Sequence, residues 1–165
     1  MPDHGGVTAL SVSVTGDAGA RRLALRGRLD ESAALVRHVP TWTAREVVLD
    51  TAELAFINSI GIREWMHFLA GLSQAGAAIV HERCAEPLIE QMCFIPAVRG
   101  GGTVRSFHAP YACPRCGHEA SVLIDVARHR DALSRLEAPP ATCERCGAAM
   151  ALADVPERWF AFLRE

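Results

Sequence analysis

The chain has 165 residues, half of them apolar and 22% charged, with a formal net charge of −2 at pH 7 and six cysteines; that length holds one domain plus an appendage and excludes a large multidomain enzyme. All 17 basic residues are arginine, which removes Schiff-base lysine chemistry and the lysine of a Walker-type phosphate loop, and the mild acidity lacks the positive footprint of a general nucleic-acid binder. Apolar runs fall short of the roughly 18 residues a membrane-spanning helix needs, and the start MPDHGGVTALSVSV has neither the basic beginning nor the apolar stretch of a signal peptide. A soluble, cytoplasmic protein without a membrane partner is the expectation.

In chain order, VTALSVSV (7–14) and RRLALRGRL (21–29) flank the glycine-bearing TGDAGA and read as an antiparallel hairpin. ESAALVRHV (31–39) has the pattern of a short amphipathic helix that stops at Pro40. EVVLD (46–50) is a nearly continuous apolar run, the pattern of a central strand covered on both faces. The clearest helix starts near Ser59: Ile62, Trp65, Met66, Leu69 and Leu72 recur at spacings of three and four, while Arg63, Glu64 and Gln74 occupy other faces. Asn58 or Ser59 can cap its free N–H groups, and Gly76 marks its end. AAIVHE (77–82) reads as another strand, 85–94 as a helix, and TVRSFH (103–108) as a strand closing the sheet at an edge. This alternation predicts an α/β layer of helices against a sheet over residues 1–108.

Beyond residue 108 the pattern breaks. Cys113, Cys116, Cys143 and Cys146 form two CxxC knuckles separated by 26 residues, each followed by a glycine, Gly117 or Gly147, that suits a tight turn. Two residues between cysteines let both thiolates reach one ion, and four thiolates complete the tetrahedral shell of zinc. A reducing cytoplasm argues against disulfides or a redox dithiol. With every position taken by cysteine, no site is left for water or substrate, so the Zn2+ is expected to be structural, and neither His118 nor His129 is needed as a ligand. Residues 109–165 thus read as a zinc-ribbon-like tail, with a short strand SVLIDV (121–126) and a terminal helix PERWFAFL (156–163) that docks Trp159, Phe160 and Leu163. Seven arginines face eight acids there, and a four-thiolate zinc adds a formal −2, which disfavours phosphate-backbone binding.

Ser59 lies between an apolar strand and the start of the main helix, where free N–H groups and the positive helix end would stabilise a phosphate as well as be capped by the serine itself. The run GRLDESAAL (27–35), VVLDTAELAFINSIGIREW (47–65), a helix and the strand AAIV resembles the STAS domains of anti-sigma factor antagonists over about residues 7–108. The resemblance implies a mixed sheet of four or five strands with helices mainly on one face. It further implies a binding module whose helix-starting serine is phosphorylated by a partner anti-sigma factor that is also a serine kinase, phosphorylation ending the binding. Residue by residue, Ser59 takes the phosphoserine position, Gly61 the motif glycine and Asp30 the acid at the end of the second strand. The family's acid before the serine is Asn58 here, which caps equally well without charge.

Arg63 and Glu64, one turn beyond the serine, are the first neighbours expected to contact a partner. Trp65 and Met66 belong to the core stripe, and Cys84 and Cys93, nine residues apart, read as packing thiols. No Ser-His-Asp order, paired carboxylates or glycine-rich phosphate loop stands out, and His67 has no nucleophile beside it, so no enzyme is expected. The functional expectation is a regulatory protein-binding module switched at Ser59; the alternative is a constitutive scaffold or homo-oligomerisation subunit that uses the same fold without phosphorylation.

Overall fold

In a computed structural model, which describes residues 8–38 and 44–164, the chain opens with the hairpin its turn residues dictate. Strand β1 (Ser11–Gly16) runs antiparallel to β2 (Ala20–Leu29), and the Asp17 carboxylate closes the turn by accepting the Gly19 N–H at 2.7 Å. Gly16 has φ +95, and a Cβ there would lie 2.2 Å from the Ala20 carbonyl oxygen, so the turn requires glycine. Strands β3 (Glu46–Ile57), β4 (Ala78–Glu82) and the two-residue β5 (Thr103–Val104) then add in parallel. The sheet order is β1-β2-β3-β4-β5, with β3 in the middle as its apolar run predicts.

The two faces of this sheet are covered by different means. On one, Leu23, Leu25, Val47 and Leu49 join a core completed by helices α1 (Ser59–Gln74) and α2 (Glu86–Phe94), which contribute Trp65, Phe68, Leu69, Leu72, Leu88, Ile89 and Met92. Ile62 and Met66 of the expected stripe are half-buried, and Phe68 takes a deeper place. On the other face Val48 and Asp50 lie beneath charges: Arg22 and Arg83 both donate to the Asp50 carboxylate, and Arg22 and Arg105 to that of Glu82. Burial works against the Asp50 charge, but the Arg83 and Arg22 guanidiniums hold its carboxyl below the ordinary carboxylate value. Two cations are what make a carboxylate only 2% exposed tolerable.

Three expectations change. The helix expected over 31–39 is only a 3-10 turn, Leu35–His38; residue 39 and the Pro40 stop lie outside the described residues. Asp30 accepts both the N–H and the hydroxyl of Ser32, at 3.0 and 2.6 Å, and Ala34 sits in left-handed backbone at φ +45. An Asx turn followed by a left-handed residue cannot continue into an α-helix. Of TVRSFH only Thr103–Val104 closes the sheet; from Ser106 the chain starts β6 (Ser106–Ala112), the first strand of a second sheet. That sheet adds β7 (Glu119–Asp125), β8 (Ala141–Thr142) and β9 (Ala149–Leu152) in the antiparallel order β7-β6-β9-β8, with the short α3 (Arg130–Ser134) in the arginine-bearing connection.

The third change is at the end of the chain, where the helix expected over 156–163 splits into α4 (Pro156–Trp159) and a 3-10 turn, Ala161–Leu163. Positions 160 and 162 are about 200° apart on an α-helix and could not both face inward. The break lets Phe160 and Phe162 set their edges against Phe107 at centroid separations of 6.0 and 5.0 Å, and Phe162, rather than Leu163, is the buried residue. One apolar core therefore runs from Leu23 to Phe162, and β6 spans the position at which the composition shifts. Among the described residues no helix is long and apolar enough to cross a membrane.

Candidate functional site

The chain brings Asp30, Asn58, Ser59 and Gly61 to one corner, where β2 ends and α1 begins. Asn58 has extended backbone and caps α1, its side-chain oxygen accepting the Gly61 N–H at 2.9 Å. Its own N–H donates to the Leu29 carbonyl at 3.2 Å, pinning the helix start to the strand end. Gly61 is seated so closely that a Cβ would fall 1.8 Å from the Leu29 carbonyl oxygen; here close approach requires glycine. Ser59 is exposed as the first residue of α1. Asp30 is held in place by the Ser32 hydroxyl and the Arg28 guanidinium, which lower its carboxyl to about 2. Arg63 is exposed and Glu64 half-buried on the next turn.

Glu31 was not legible as part of this corner. Its carboxylate accepts the Asn58 side-chain N–H at 2.9 Å, and this bond lowers the Glu31 carboxyl below its ordinary value. The only available signal was its place beside Asp30 in the GRLDESAAL run, and nothing in that spacing reports a contact across 27 positions.

The four cysteines of the two knuckles converge. All four Sγ atoms of Cys113, Cys116, Cys143 and Cys146 lie within 4.8 Å of one another, with Cys113 to Cys146 at 3.5 Å and Cys116 to Cys143 at 3.6 Å. A tetrahedral ion with sulfur at about 2.3 Å has S···S edges of about 3.8 Å, whereas a disulfide is near 2.05 Å, so the arrangement fits a metal and not bonded pairs. The two knuckles are built alike. The Cys113 N–H donates to the His118 carbonyl and the Gly117 N–H to the Cys113 carbonyl; Cys143, Ala148 and Gly147 repeat both bonds. Gly117 and Gly147 have φ +71 and +72. Burial raises the Cys113 thiol, but the N–H groups of Cys116 and Arg115 and the neighbouring thiols outweigh it and bring the group down to about 6, while the neighbouring thiols push Cys116 and Cys146 up: the first proton lost makes each further thiolate harder to form without a cation among them. Neither imidazole, His118 or His129, joins the cluster.

The remaining thiols differ. Burial pushes Cys84 up to about 12 and Cys93 to about 11; both pack against the core, and the Cys93 thiol donates to the Trp159 carbonyl. His67 is exposed on α1. Comparison with protein-family models and with curated proteins returned no match to the chain.

Proposed function

We propose that this chain is a cytoplasmic regulatory module that binds a protein partner at the corner where β2 meets α1, as the STAS-like resemblance implies. The observation that supports this reading most is the seating of Gly61 on the Leu29 carbonyl, with Asn58 capping α1. An exposed Ser59 hydroxyl thereby stands on a rigid support at a helix start. Asp30, Asn58, Ser59, Gly61, Arg63 and Glu64 form the docking surface, a serine-kinase anti-sigma factor is the partner class, and phosphorylation of Ser59 ends the binding. Zn2+ held by Cys113, Cys116, Cys143 and Cys146 is structural: it supplies folding free energy to a tail too small to hold together by apolar burial alone. No reaction is assigned to the chain, and no nucleic acid is its partner.

A second reading, a phosphorylation-free scaffold or homo-oligomer, is favoured by one contact. The Glu31 carboxylate on the Asn58 side chain adds negative charge next to the position a phosphate would occupy. Pull-downs from the native cell with wild type, Ser59→Ala and Ser59→Asp separate the two. The switch predicts that the aspartate variant loses a partner the alanine variant keeps. Identical partner sets, with no phosphate adduct by intact mass across growth conditions, establish the scaffold instead.

A further inference from the structure

The metal centre is unevenly exposed. Cys113 and Cys143, the first cysteine of each knuckle, are 2% exposed and belong to the core, Cys146 is half-buried, and Cys116 is exposed. Two close sulfur contacts also join the knuckles to each other. Cys116 is 3.6 Å from Cys143 and Cys113 is 3.5 Å from Cys146, each pair joining one knuckle to the other.

We propose that Cys116 is an oxidation site through which a peroxide converts the zinc-thiolate centre into two disulfides that cross the knuckles, Cys116 to Cys143 and Cys113 to Cys146. The proposal rests on the zinc reading above. Access selects Cys116, since a metal-bound thiolate retains nucleophilic character and Cys116 is the most exposed of the four. The Cys116 thiolate attacks one peroxide oxygen, the O–O bond breaks, and with one proton the products are a sulfenic acid and water. The Cys143 thiolate then attacks the sulfenic sulfur; an S–S bond forms, the S–O bond breaks, and a second proton carries the oxygen away as water. A second peroxide acts on Cys113 and Cys146 in the same way. In total four thiolates lose four electrons, two peroxides and four protons become four waters, and Zn2+ is released.

The connectivity has a structural consequence. Bonds across the knuckles keep residues 113–116 and 143–146 tied together after the metal leaves, whereas bonds within each CxxC would let the knuckles separate. Closing the intervening loop retains the entropic constraint that the ion had supplied. The modification therefore exchanges a metal staple for a covalent one around the same core.

The sequence makes the connectivity readable. Arg115 and Arg145 each stand between the two cysteines of a knuckle, so trypsin places the four cysteines on four separate peptides. The full-length chain, after elemental analysis has found one zinc per chain, is treated with two equivalents of hydrogen peroxide; release is followed with a chromogenic chelator and the peptides are mapped without reduction. The expected result is one zinc released, Cys116–Cys143 and Cys113–Cys146 cross-links, and recovery of bound zinc after dithiothreitol. Cys116→Ser is expected to slow release about tenfold, and Cys93→Ser to leave it unchanged. Should Cys116→Ser fail to hold zinc, timed alkylation of the zinc-loaded wild type replaces it, with Cys116 expected to react first of the four. Zinc retained under peroxide, links within each knuckle, or another cysteine alkylated first would overturn the proposal. Less than one zinc before any oxidant would instead refute the zinc reading on which it stands.

Discussion

The sheet that carries α1 and the sheet that carries the cysteines occupy one core, yet they are stabilised differently. Around β2, β3 and β4 the work is done by large side chains excluded from water, among them Trp65, Phe68, Leu23, Leu25 and Leu49. In the second sheet β8 and β9 are short, Phe107 packs against Phe160 and Phe162 at the chain end, and the knuckles contribute the buried thiols of Cys113 and Cys143. Tyr111 reinforces this region with a buried hydroxyl bond to the Pro139 carbonyl at 2.7 Å. On the proposed reading, an ion at the four-cysteine cluster supplies the second region with free energy that the first draws from apolar burial alone.

Chelating the proposed zinc tests that contrast most severely. Structural zinc contributes about 10–16 kcal/mol to small metal-dependent folds, so a strong chelator, or Cys143→Ser, is expected to abolish amide protection in β6 to β9 while β2, β3 and β4 keep most of theirs. Hydrogen exchange read by mass spectrometry checks it, and uniform loss in both sheets would erase the distinction. The reciprocal change is Trp65→Ala, which removes a fully buried ring and its indole bond to the Val98 carbonyl. Its expected cost is about 3–5 kcal/mol by urea denaturation, with zinc content unchanged.

His81 supplies a difference in pH response. Burial lowers this imidazole to about 4, and its Nε2 meets the Arg99 carbonyl at 2.9 Å. The unfolded chain, with an ordinary histidine near 6.5, binds the proton first, so the stabilising effect is complete above about 6.5 and is lost as pH falls through 4. A decline on the order of 3 kcal/mol is expected in denaturation midpoints over that window, with His81→Gln removing it; an unchanged decline in the variant would assign it to other groups. Gly61→Ala comes next, at about 1–3 kcal/mol, since the new Cβ must push α1 away from the Leu29 carbonyl; partner capture should fall with zinc content intact. Asn58→Ala is the mildest, about 1 kcal/mol for the lost cap.

Much of the architecture could be read from local pattern. The hairpin, the central place of β3, the bounds of α2 and a helix cap at Asn58 or Ser59 all follow from turn residues, apolar runs and capping chemistry, because each is decided within a few positions. The segment after Asp30 could not be read that way. Its amphipathic spacing is real, but the Asp30 to Ser32 turn and the left-handed Ala34 override it. The aromatic end of the chain misleads for a related reason, since three nearby rings demand inward places that one helix cannot provide.

The sequence alone determined that four cysteines at paired spacing would converge on one site, because ligand bite is local. Only the tertiary structure decided why Gly61 must be glycine, which thiol meets solvent, and that Glu31 joins the Ser59 corner. Those are relations between strands and helices far apart in the chain, fixed when the core closes and brings their backbones into contact.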